Sequence, residues 1–293
     1  NWVANIFPKR MRAGVIGLKE SGALVGCVIG VVLGGYIAKH YGWRYAFGVV
    51  AVPGFVFAVL ILWLRDYPTP VRTRASSAPT TWARDGWRAA KQLAAVPALR
   101  WIAAGSATLQ MFVASIANWM PSFFNRVYAL PTDQAGVRTG VVMLVASVGV
   151  IAFGFIGDRV AHARPVRYVY LMSALALSTA IASLVAYSLE PGVAQMGALM
   201  VAAFFMLGIL GASFTAIQAI VAPGMWGMAI GLYLLVNNLV GVALGPLLAG
   251  VLSDHFSLQR AMQVFSWVPF FSAGAYFMAA RCYEPAGMRQ AGA

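Results

Sequence analysis

The sequence predicts an all-α fold, a polytopic bundle of transmembrane helices, on three observations. Of its 293 residues 61% are apolar and only 10% charged, against about 25% charged in an ordinary soluble domain. Too few charges remain to solvate a globule of this size, so its surface faces lipid. Eight apolar runs each reach the roughly 20 residues a helix needs to cross a bilayer, and the alternating ten-residue segments of a membrane barrel do not occur. Lys and Arg gather in every second connection between the runs, the asymmetry that orients membrane helices.

The runs fall at about 14–38, 45–64, 99–122, 139–157, 168–188, 194–221, 227–251 and 262–281. Ahead of them "NWVANIF" carries no signal-peptide pattern and reads as the tail of another helix. Connections 8–13, 65–98 and 158–167, with Arg100, Arg281 and the C-terminal tail, hold fifteen Lys and Arg. The alternate set, 39–44, 123–138, 189–193 and 252–261, holds five. The first set is therefore cytoplasmic, and so is the C-terminus. The long connection begins "RDYPTPVRTRASSAPTT", too polar and proline-rich to build a core, and ends as a basic amphipathic helix with Trp82 and Trp87 suited to the inner leaflet.

The net charge of +13 raises the question of nucleic acid. No basic helix or aromatic–basic sheet pattern supports it; the charges sit in short clusters between apolar runs. Cys27 and Cys282 show no metal or redox spacing, and His40, His162 and His255 fall singly at run ends. No cofactor or metal is predicted. A membrane-embedded enzyme needs convergent acids, histidines or a metal, and the runs hold one acidic residue, Glu20.

Residues 23–41, "ALVGCVIGVVLGGYIAKHY", and 238–256, "NLVGVALGPLLAGVLSDHF", repeat at a constant offset of 215 residues. Gly26, Gly30, Gly35 and His40 align with Gly241, Gly245, Gly250 and His255. The copies stand six spans apart, which implies two six-helix units. The second unit is complete at 99–281; the first shows its last two helices, so four helices are predicted to precede residue 14.

These residues resemble the major facilitator superfamily. "GFIGDRVAHAR", residues 154–164, is similar to its cytoplasmic gating motif, with Gly154, Gly157, Asp158, Arg159 and Arg164 in place, Ala161 where a Gly is usual and His162 where a basic residue is. "FPKRMRAGVIG" (7–17), "NWMPSFFNRVYAL" (118–130) and "GLYLLVNNLVGVALGPLLAGVLSD" (231–254) resemble the spinster-like subgroup; organic-anion symporters share the "FPKR…SG…GWR" pattern. The resemblance implies eight visible spans of a twelve-span, two-half fold. Residues 1–64 are then the end of the N-terminal half, 65–98 a cytoplasmic linker, 99–281 the C-terminal half and 282–293 a cytoplasmic tail. It also implies a secondary transporter moving a small organic solute or lipid-like molecule by alternating access, in the cell membrane. A truncated, non-transporting fragment or scaffold is the alternative. The partners implied are membrane lipid, a small-molecule substrate and a proton.

Gly22, Gly26, Gly30 and Gly34 form one face of the fifth helix of that fold, and Gly241 and Gly245 act alike in the eleventh, where Pro246 leaves one carbonyl without a donor. Tight packing and a hinge are both open readings. By the resemblance the seventh and tenth helices line the central cavity. The sequence gives each a polar stripe: Ser106, Gln110 and Asn118 in one, Thr215 and Gln218 in the other, with Asn237 and Asn238 in the eleventh. Such groups in a bilayer face the bundle interior, either to bond neighbouring helices or to meet substrate. Trp119 and Phe123 are candidates to stack on a ligand or to join the outer aromatic belt. Asp158 is a candidate cap for the helix start near Ala13–Gly14. Lys19 lies about 9 Å into its helix at 1.5 Å per residue and is able to snorkel back. Glu20 points about 100° away from it, and burial raises a carboxyl pKa, which suits loading and releasing a proton. A salt bridge to a neighbouring helix is the other reading of the pair.

Overall fold

The computed structural model describes residues 22, 26, 29–30, 32–63, 91, 95–163, 166–221 and 225–283. Every regular element among them is helical. After a helical stretch at 32–41 come α1 (Trp43–Leu62), α2 (Pro97–Val127), α3 (Thr132–Ala163), α4 (Val166–Ser188), α5 (Val193–Met206), α6 (Leu210–Ile220) and α7 (Trp226–Val236). A π-helical segment, Asn237–Ala243, leads into α8 (Leu244–His255), followed by α9 (Leu258–Phe265) and α10 (Val268–Arg281). Four described helices are long and apolar enough to cross a membrane: Trp43–Leu60, Thr132–Gly157, Val166–Ser188 and the joined Trp226–His255. The outward faces are apolar, with Phe55, Val148, Phe155, Ile181 and Phe271 all exposed. A water-soluble protein does not present a continuous surface of this kind; the chain is an integral membrane protein.

Within α2–α10 the helices meet through small residues. α10 packs against both α2 and α4, α5 against α3 and α4, and the π segment and α8 against α2. Where α3 crosses α5, a Cβ on Gly149 would collide with the Phe204 carbonyl, so only glycine permits that approach. Buried hydroxyls close on their own helix: Ser115 to Met111, Thr139 to Ala135, Ser147 to Met143 and Thr179 to Leu175, all at 2.7–2.9 Å. This satisfies them without a partner helix or water. Two apolar clusters result, one around Ile102, Met172, Ile217 and Tyr276, the other around Phe112, Phe123, Phe124, Tyr187 and Met262.

Two predicted runs are broken. The run 194–221 is interrupted by a turn at 207–209. Gly208 therefore lies between helices, pressed against the Phe153 ring. The run 262–281 begins inside α9 and breaks at Ser266–Trp267, because Pro269 sits in the first turn of α10 and has no N–H to continue the preceding helix.

At Pro246 the sequence predicts a bend. The structure places the adjustment one turn earlier, as the π segment. Where α winding gives way to π, the Asn237 backbone N–H is shared between the Tyr233 and Leu234 carbonyls, and the side-chain amides of Asn237 and Asn238 add a bond to each at 3.2 and 2.8 Å. Trp119 Nε1 donates to the Pro246 carbonyl at 2.9 Å, tying α8 to α2.

The connections predicted to share the outer side meet at one point. Lys39 Nζ, in the helical stretch 32–41, is 2.8 Å from Asp133 Oδ2 at the start of α3. Chain segments on opposite sides of a bilayer do not make that contact.

Candidate functional site

A cavity of about 200 Å³ opens between α2, α6, the α7–π junction and α10. α2 contributes Ser106 and Gln110, one turn apart on the same face; α6 contributes Ser213 and Phe214; the α7–π junction contributes Asn237 and Asn238. Tyr233 and Tyr276 complete the polar wall, and Leu109, Val113, Met206 and Val242 supply part of the apolar one. No charged residue is among the described residues that line it.

Ser106, Ser213 and Tyr276 are buried and linked, with Ser106 Oγ 2.9 Å from Tyr276 Oη and 3.3 Å from Ser213 Oγ. Phe214 and Tyr233 meet edge to face with ring centroids 5.6 Å apart. Gln110 rests its stem on Gly241: a Cβ there would stand 2.7 Å from Gln110 Cβ and 3.1 Å from the Ala107 carbonyl. At Gly245 a Cβ would collide with the Met111 carbonyl. These two glycines therefore let the π segment and α8 lie directly on α2.

Of the residues the sequence marks for a substrate path, Ser106, Gln110, Asn237 and Asn238 line this one cavity. Asn118 lies two turns beyond Gln110, and its amide closes on the Ala114 carbonyl at 2.8 Å. Gln218 is exposed at the far end of α6, its carbonyl accepting from Trp226 Nε1 at 3.1 Å. The side chain of Thr215 lies outside the described residues. Phe123 is fully buried against Phe124, Tyr128 and Tyr187, closed to any ligand. Trp119 is held by Pro246 and lies 5.9 Å from the Arg126 guanidinium. Ser213 and Tyr276 carry no sign in the sequence, a lone serine among small residues and a tyrosine inside an apolar run.

In the gating segment Gly154 is exposed and Gly157 is buried against the Tyr168 ring, where a Cβ would collide with Tyr168 Cε2. Arg159 is exposed. Arg164 and the side chain of Asp158 lie outside the described residues, as do Lys19 and Glu20. Gly22, Gly26, Gly30 and Gly34 have nothing near a would-be Cβ among the described residues. The repeat segment 23–41 is described only in part.

Residues 1–189 match the family model described as Major Facilitator Superfamily. An MFS-type efflux pump of Mycolicibacterium smegmatis is 25% identical over 261 residues, 87% of this chain and 58% of that protein. A D-galactonate transporter of Escherichia coli is 23% identical, covering 94% of this chain and 68% of that one. A hexuronate transporter of Bacillus subtilis is 26% identical, covering 86% and 61%. The chain thus spans about six-tenths of the length of these curated relatives. A bacterial homolog of the human lysosomal transporter Spinster, solved inward-facing and unoccupied, superposes with a TM-score of 0.75 at 21% identity over 96% of this chain and 73% of that one. Its occupied form gives 0.73 at 19% identity. An all-helical chain with a membrane-facing surface, a fold shared with the spinster homolog and a match over residues 1–189 belongs to the major facilitator superfamily.

Proposed function

We propose that the chain is part of a secondary active transporter that moves a small organic solute by alternating access. The observation that carries this reading is the cavity between α2, α6, the α7–π junction and α10, with polar groups converging inside a bundle whose outside is apolar. Polar side chains at such depth are costly unless bonded or in contact with water or ligand. Family membership supports the reading, and so do relatives named for transport of galactonate and hexuronate. On this reading Ser106, Gln110, Asn237 and Asn238 touch substrate. The stretch 154–164 is an inner gate, residues 65–98 link two helical halves, and the C-terminus is cytoplasmic.

Proton coupling through Glu20 belongs to the same proposal, on the strength of a single carboxyl within the apolar runs. Reconstitution into liposomes tests both parts. The chain, and the full reading frame that encodes it, are assayed for uptake of labelled sugar acids with and without an inward pH gradient. Solute accumulation that follows the gradient and loses that dependence in Glu20→Gln is expected. Uptake that ignores the gradient excludes the coupling role; no movement of any solute by either form excludes the transporter reading.

A further inference from the structure

The polar wall of the cavity offers acceptors and donors side by side, as a hydroxyl requires, and no charge among the described residues. Asn237 and Asn238 have each committed an amide N–H to the Tyr233 or Leu234 carbonyl. Their amide oxygens receive no donor among the described residues, yet both residues line the cavity. The Gln110 amide, held beside them by the contact of its stem with Gly241, has no partner at either end among the described residues. The hydroxyls of Ser213, Ser106 and Tyr276 form a chain of two hydrogen bonds. Three hydroxyls carry three protons and two bonds use two of them, so one O–H of the chain is left to donate. Three amide oxygens, the Gln110 NH₂, the second amide N–H of Asn237 and of Asn238, the Tyr233 hydroxyl and one proton of the hydroxyl chain therefore await partners, with no charge among the described lining residues.

We infer that this wall recognises a neutral, hydroxyl-rich face of the substrate, a polyol or sugar-like segment. Its O–H groups donate to the oxygens of Gln110, Asn237 and Asn238, its own oxygens accept from the hydroxyl chain, and its carbon frame rests on Phe214 and Tyr233. A carboxylate or phosphate only accepts: it would use the wall's N–H and O–H groups, leave the three amide oxygens without a donor and meet no cation among the described lining residues. Any acidic end of the substrate is thus oriented away from this wall. The inference rests on the transporter reading and names the substrate class of the same cavity.

The test uses three six-carbon probes: sorbitol (hydroxyls, no charge), gluconate (hydroxyls and one carboxylate) and adipate (two carboxylates, no hydroxyls). Binding to the chain in lipid nanodiscs is followed by tryptophan fluorescence. Sorbitol and gluconate are expected to bind within about threefold of one another, since the extra carboxylate finds no cation on this wall. Asn237→Leu and Gln110→Leu are each expected to weaken both by about tenfold or more, the loss of a substrate hydrogen bond, and adipate is expected not to compete. Asn237→Leu also removes a bond to the Tyr233 carbonyl, so Gln110→Leu, which breaks no bond among the described residues, separates recognition from folding. Adipate binding in preference to sorbitol, sorbitol affinity unchanged in Gln110→Leu, or no binding of any probe would overturn the inference. The failures are distinct: a transporter of hydroxyl-free acids still moves solute in liposomes, whereas a non-transporter moves none.

Discussion

Replacing Gly241 with alanine places a methyl group where the cavity wall meets α2. Its Cβ would stand 2.7 Å from Gln110 Cβ, 2.8 Å from Gln110 Cγ and 3.1 Å from the Ala107 carbonyl oxygen, where ordinary contact begins at 3.4 Å. The nearest of these atoms is one bond from the α2 backbone, so the π segment must recede by about 0.7 Å, the shortfall from 3.4 Å. Forcing a methyl into a filled interface costs about 1–3 kcal/mol, and replacing glycine in a helix returns up to about 1 kcal/mol. The expected net loss is about 1–2 kcal/mol. Gly231→Ala on α7 is the control, because a Cβ there meets nothing within 4 Å, and only the gain of up to about 1 kcal/mol remains. Unfolding of the two purified variants in detergent, followed by tryptophan fluorescence, gives the comparison. Equal midpoints would refute the contact geometry from which the cavity wall is built.

Gly149→Ala should be more damaging still, beyond about 3 kcal/mol, because the obstacle is the Phe204 backbone, which has no rotamer to yield; a well-folded, monodisperse variant would contradict this. Trp119→Phe removes the 2.9 Å bond to the Pro246 carbonyl and should cost about 1 kcal/mol in the same melting assay. Tyr276→Phe shortens the hydroxyl chain to the 3.3 Å pair of Ser106 and Ser213, with a similar loss of about 1 kcal/mol and weaker sorbitol binding. The Lys39–Asp133 pair is partly exposed, with 46% and 29% of the two side chains accessible. A double-mutant cycle with Lys39→Met and Asp133→Asn should therefore return only a small coupling, reduced further in molar salt.

What the sequence made legible follows from which forces act locally. Apolar length marks a span without knowledge of its neighbours: α4 coincides with its run at 168–188 to within two residues, while α3 contains its run at 139–157 and extends seven residues before it and six beyond. The break at 207–209 was hidden because Leu207, Gly208 and Ile209 are as apolar as the helix on either side, and the close contact of Gly208 with Phe153 of another helix is not a local property. The break before α10 had a visible cause in Pro269. Asn237 and Asn238 stood out as polar residues within an apolar run, yet nothing local distinguished a cavity wall from an interhelical bond. Ser213 and Tyr276 acquire their place only because α6 and α10 both pack on α2. Asn118, at the same four-residue spacing as Ser106 and Gln110, turns back to its own helix, since periodicity fixes a face but not how far along it the cavity extends.

The π segment holds a winding reserve. One more residue is taken into its turn than an α-helix would use, and each residue of α-helix advances about 100°. Deleting a single residue between 237 and 243 would let the stretch rewind as ordinary helix without breaking the span. Because the wide turn already absorbs that residue, α7 and α8 would keep their faces, with α8 still pinned to α2 through Trp119 and Pro246. A one-codon loss at this place is thus taken up by the winding: the span survives in phase, and only the stretch 237–243 against the cavity is rebuilt.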